Sequence, residues 1–113
     1  MNGARVVFHL SDLDKWPVAL ANAKNLIAAS QEIEVEVLIN SRAVAAFATP
    51  ESMEWSEQLA ALQALGVQFL VCANSLKGHQ IGPSSLPQGI LTVPVGVLAL
   101  VEKQAEGYAY IKP

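Results

Sequence analysis

Short runs of β-branched and aromatic residues alternate along this chain with stretches of helical period, and that alternation leaves few architectures open. Arg5-Val6-Val7-Phe8-His9-Leu10 opens the series and ends at the turn-like Ser11-Asp12, as a buried strand and its exit loop do. From Asp14 the spacing changes. Pro17 suits a first helical turn, and Leu20, Ala23 and Ile27 recur at helical steps as far as Ala29. In the next run Ile33, Val35, Val37 and Ile39 share one face while Glu34 and Glu36 share the other. A strand buried on both sides would be apolar throughout, so this one is expected at an edge or with one side wet. Glu32, Glu34 and Glu36 accordingly read as a solvated face.

Ser41 is expected to cap a short helix over residues 42–47, and Thr49-Pro50 breaks the chain before a second helix. Trp55, Leu59, Leu62 and Leu65 mark that helix, and Gly66 stops it. Val67 to Cys72 is almost wholly apolar and reads as a central strand. A short helix over residues 74–77 follows, then a Gly-, Pro- and Ser-rich loop over residues 78–89, long enough to be a candidate site segment. The rest reads as a strand over 90–93, a helix over 97–104 with Val97, Leu98 and Val101 inward, and a last strand over 107–111. Strand–helix alternation with short connections implies an α/β fold: a mostly parallel five-stranded sheet with helices on both faces, in one domain over residues 1–113.

Composition narrows the function classes. With 113 residues and 52% hydrophobic content the chain has ample material for one core. A net charge of −3 and no cluster of Lys or Arg leave nothing to grip a phosphate backbone, so no nucleic-acid partner is expected. The long uncharged stretch over residues 81–101 is interrupted by Pro83, Pro87 and Pro94, so no membrane span is expected. A first strand that begins almost at once argues against a secretory leader. The single cysteine permits no internal disulfide, which points to the cytoplasm. So few charges on a small domain also imply that neighbouring subunits cover some apolar surface, with Tyr108, Tyr110 and the 78–89 loop as the expected contact.

Ligands of open α/β sheets sit beyond the carboxyl ends of the strands. Here those ends are His9-Leu10-Ser11-Asp12, Asn40-Ser41-Arg42, Cys72-Ala73-Asn74-Ser75 and Pro94-Val95-Gly96, expected on one rim. Cys72 reads two ways. Between a strand and a helix start its thiol can be acidified into a nucleophile, whereas a buried cysteine is often an inert small hydrophobe. His9 can shuttle a proton or simply satisfy backbone groups. Asn74 and Ser75 fit either a ligand or a helix start, and Arg42 either an anion or a surface carboxylate. His79, Ser84 and Ser85 belong to a loop that is either a lid or solvated. Zinc-type spacing, phosphate-binding glycine motifs and a nucleophile elbow are all missing from the sequence.

Several segments together carry a family resemblance: His9-Leu10-Ser11-Asp12 after the first strand, Asn22-Ala23-Lys24-Asn25-Leu26, Leu65-Gly66-Val67-Gln68-Phe69, Val71-Cys72-Ala73-Asn74-Ser75-Leu76, Val93-Pro94-Val95-Gly96-Val97 and the tail from Gln104 to Pro113. With these, the chain resembles the DsrE/DsrF-like family, and within it a small, little-characterised branch related to intracellular sulfur-relay proteins. The resemblance implies a flavodoxin-like α/β domain assembling as a homotrimer or as a homohexamer of stacked trimers. It implies a strand-end cysteine, matched here by Cys72, that carries a persulfide between donor and acceptor proteins. His9, Ser11, Asn40, Asn74 and Ser75 are then the supporting residues, with no metal or organic cofactor. The alternative is a non-catalytic oligomeric protein binding a small molecule on the same rim, and a third reading is a structural subunit of a hetero-oligomer.

Overall fold

The computed structural model describes residues 3–49 and 53–113; Pro50, the expected helix-breaking point, lies outside them. Five parallel strands form one sheet in the order β4-β3-β2-β1-β5: β1 (Arg5–Leu10), β2 (Glu34–Ile39), β3 (Gln68–Cys72), β4 (Leu91–Val93) and β5 (Ala109–Ile111). Four α-helices connect them: α1 (Trp16–Ala29), α2 (Ser56–Ala64), α3 (Ala73–Gly78) and α4 (Gly96–Ala105). Pro17 lies in the first turn of α1, where its missing N–H costs nothing. Gly66 ends α2 with φ +97°, a conformation open to glycine.

Strand alternation divides the side chains between two unequal cores. Val6, Phe8 and Leu10 of β1, Val35, Val37 and Ile39 of β2, and Phe69 and Val71 of β3 face a large core closed by α1, α2, α3 and a 3-10 helix over Ser41–Phe47. Trp16 is its anchor. The indole stacks on Trp55, meets Phe47 edge-on and donates its N–H to Ala43 O at 2.9 Å. On the opposite face Val7, Leu38 and Leu70 pack beneath α4 alone, against Ala99 and Leu100.

Three local expectations are corrected here. First, β2 is central rather than an edge, and Glu36 is only 7% exposed. Its charge is matched under α4: Lys103 Nζ lies 2.8 Å from Oε1, close enough for strong attraction though not aligned as a hydrogen bond, and Tyr108 Oη donates to Oε2 at 3.0 Å. Glu32, before the strand, and Glu34, at its start, are exposed as the alternation implied. Second, α4 is rotated so that Val97, Leu98 and Val101 point outward, 59%, 53% and 61% exposed, while Gly96, Ala99 and Leu100 face the sheet. The small residues take the inner side because α4 starts against Cys72 and Leu38, where a Cβ on Gly96 would lie 3.0 Å from Cys72 Cβ. Third, Ser41 is not a cap. Asn40 occupies that place without a side-chain capping bond, and Ser41 is the first helical residue, with φ +52°.

Candidate functional site

The chain winds from β1 through β2 and β3 to β4 in one direction, then returns to place β5 on the other side of β1. The helix leaving β1 covers one face and the helix entering β5 covers the other, so the carboxyl ends of β1 and β5 flank a switch point, where such sheets open a crevice. Register puts the polar residues there on the α4 face. His9 follows Val7, Tyr110 is paired with Val7, and Cys72 follows Leu70 at the same pitch.

His9 links two strands. Its Nε2 lies 3.0 Å from Asn40 Oδ1 and its Nδ1 2.5 Å from Tyr110 Oη. With Oδ1 as acceptor, Nε2 carries the proton and Nδ1 accepts from the tyrosine, so the bonds fit a neutral imidazole. Burial, joined by the nearby Lys112 charge, lowers the His9 pKa against the opposing pull of Asn40 and Asp12, which keeps that form at neutral pH. Beside it Lys112 Nζ donates to Ser11 Oγ at 2.5 Å. Tyr110 and Lys112 were not among the expected site residues. Only the pairing of β5 with β1, about a hundred residues apart in sequence, brings them in.

Cys72 ends β3 and stands immediately before α3. It is 5% exposed, so it is buried but not sealed. Gly96 N–H donates to Sγ at 3.2 Å. Burial raises the thiol's pKa, but the Ser75 hydroxyl and the backbone N–H groups of Ser75, Gly96 and Asn74 outweigh it, and the net shift is downward. Of these N–H groups only that of Gly96 makes a directed hydrogen bond; the amides of the first turn of α3 act on the sulfur without forming a cap. Stabilising a thiolate with oriented N–H dipoles makes it more available as a nucleophile.

Ser75 Oγ also accepts the N–H of Ser41 at 2.8 Å, so it joins the ends of β2 and β3. The Asn74 side chain is exposed at the same end. Arg42 and His79 lie elsewhere, around an open groove of about 910 Å³ with Asp12, Leu13 and Trp55, on the side of the sheet covered by the large core. His79 Nδ1 donates to Ser75 O at 3.0 Å. The 78–89 loop is anchored by buried Ile81 and by Leu86 packed against the core, and Gln63 Nε2 donates to Gln88 O at 3.2 Å.

Residues 18–113 match the DsrE/DsrF-like family. The chain belongs to that family. A DsrE/DsrF-like domain, linked in general to sulfur relay, is thus the setting of Cys72. MTH1491, a protein of unknown function from Methanobacterium thermoautotrophicum, is 31% identical with a TM-score of 0.89, over 97% of this chain and 99% of its own. The ychN protein from E. coli is similar at 17% identity and a TM-score of 0.75, over the full length of both chains. A conserved protein of unknown function from Bacteroides thetaiotaomicron, BT1422, has 12% identity and a TM-score of 0.77, over 96% of this chain and 94% of its own. At the two lower identities the likeness is one of fold. No curated protein matches the chain. Among the described residues of this DsrE/DsrF-like chain, no helix is long and apolar enough to cross a membrane.

Proposed function

We propose that this DsrE/DsrF-like protein is a sulfur carrier in which Cys72 holds a persulfide. The observation that supports this reading is the thiol's setting: one cysteine at a strand end, with a directed N–H bond from Gly96 and a pKa held down by its hydroxyl and amide neighbours against the effect of burial. The Cys72 thiolate attacks the outer sulfur of a donor persulfide, R–S–S–H. A new S–S bond forms on Cys72, the donor's S–S bond breaks, and the donor leaves as a thiolate while the terminal proton stays with the transferred sulfur. An acceptor thiolate then attacks that outer sulfur and Cys72 leaves as a thiolate. Neither step needs an oxidant. The thiol, its pKa lowered by its neighbours, serves both, as attacking group in one and leaving group in the other.

Incubation with inorganic polysulfide followed by intact mass measurement is expected to add roughly 32 Da, one sulfur atom, to the wild type and nothing to Cys72→Ser. An equal adduct in the variant, or none in the wild type, removes the proposal.

The protein is proposed to work as a homo-oligomer, a trimer or a hexamer. Its support is the outward stripe of Val97, Leu98 and Val101 on α4, with Leu91 and Val95 also exposed, the kind of apolar display that marks an interaction surface. Light scattering at micromolar concentration is expected to give a multiple of the chain mass, and Leu98→Glu a smaller species; a monomeric wild type overturns this.

A further inference from the structure

We infer that the groove around Arg42, on the large-core side of the sheet and apart from Cys72, is a second binding site, and that it takes a free aromatic α-amino acid. The inference does not depend on sulfur chemistry. The groove, about 910 Å³, is built from the segments that leave β1 and β2, with Trp55 and with His79 at the end of α3. It therefore sits at the carboxyl ends of the strands, where open α/β sheets bind ligands, and its volume is that of a small-molecule site. One wall is aromatic. Trp16 is fully buried and lies parallel to Trp55 with ring centroids 5.4 Å apart, so it covers one face of that indole and holds it in place. The part of half-buried Trp55 that stays exposed lines the groove, as does Leu13, an apolar side chain left 44% exposed. A flat ring laid on this wall buries apolar surface and stacks on the indole.

The rim carries both signs of charge. Asp12 and Asp14 stand on it with Lys15 and Arg42, all of them exposed. Among the described residues no ion pair joins these acids to these bases. Their charges cancel, so the groove favours neither a plain anion nor a plain cation and suits a molecule that carries both. Arg42 offers a planar fork to a carboxylate, and Asp12 and Asp14 offer acceptors to an ammonium group. His79 adds a further acceptor: its Nδ1 donates to Ser75 O at 3.0 Å, so in the neutral ring Nε2 keeps a lone pair. Among the described residues the acids do not converge with other ligating side chains as a metal site would require. A carboxylate, an ammonium group and a ring on one small frame describe an aromatic α-amino acid.

Trp16 and Trp55 are the chain's two tryptophans, so the wall reports its own occupancy by fluorescence. Phenylalanine, which does not emit in the tryptophan band, is the probe. Its titration is expected to change the tryptophan emission saturably, with a Kd of about 1 mM, the scale for so small a ligand. Phenylacetate lacks the ammonium group and phenethylamine the carboxylate; each should bind about fivefold more weakly, the upper scale of an exposed ion pair. Alanine, without the ring, should leave the emission unchanged. Arg42→Gln should weaken phenylalanine but not phenethylamine, and Asp12→Asn/Asp14→Asn should weaken phenylalanine but not phenylacetate. All three substituted side chains are exposed, so the variants should melt with the wild type. No saturable change, analogues that bind as well as phenylalanine, or an Arg42→Gln variant with wild-type affinity overturns the inference. The place of binding is read from the two indole N–H signals in a nitrogen–proton correlation spectrum. Phenylalanine should move that of Trp55 more than that of Trp16, which is tied to Ala43 O. Shifts confined to residues away from the groove put the ligand elsewhere and also overturn it.

Discussion

Replacing Lys103 by methionine is expected to destabilise the protein by about 3 kcal/mol, because it strands the carboxylate of Glu36 under α4. Tyr108 would remain as its one hydrogen-bond donor. The cost is that of an unpaired buried charge rather than the worth of the pair, so Glu36→Leu combined with Lys103→Met should recover most of it. Denaturant melts of the three proteins at neutral pH measure this; a Lys103→Met variant as stable as the wild type would show that water reaches Glu36. The same cluster determines behaviour in alkali. Burial lowers the Lys103 pKa, but the close Glu36 carboxylate reverses this and leaves it raised, while burial and Glu36 both raise the pKa of Tyr108. A pKa raised in the folded state means that the native form binds the proton more tightly. That stability is complete below the ordinary tyrosine and lysine values of 10.0 and 10.5 and is lost as pH rises through the higher folded values. Glu36→Gln should flatten the alkaline limb.

Gly96→Ala is expected to cost about 2 kcal/mol, or about 8 °C in Tm, and to blunt the thiol as well. The added Cβ would lie 3.0 Å from Cys72 Cβ, 3.3 Å from Leu38 Cδ2 and 3.4 Å from Cys72 Sγ, so the first turn of α4 has to lift. Lifting stretches the Gly96 N–H bond to Sγ, and alkylation at neutral pH should slow by several-fold. Thermal melting and alkylation rates on one preparation check both parts. An alanine variant with wild-type values for both would mean that α4 shifts without cost, and Gly96 would lose its place in the site.

What could be read in advance depended on the range of the interaction. The strands were legible because β-branched runs such as Val67–Cys72 declare themselves locally, and the family resemblance together with the strand-end rule located Cys72 at the mouth of the sheet. Glu36 was misread because the signal that it is buried lies in Lys103 and Tyr108, far along the chain. The rotation of α4 was misread for a different reason. Two stripes competed, and the rule that the more apolar one turns inward fails when a glycine must approach another residue's Cβ and sulfur. Tyr110 and Lys112 were invisible as site residues because only the order of strands in the sheet makes them neighbours of His9 and Ser11.

One ten-residue helix, α4, presses its first amide on the sulfur from one side and carries bare aliphatic side chains on the other. A surface that a neighbour could cover and the amide that bonds the thiol therefore belong to one short element.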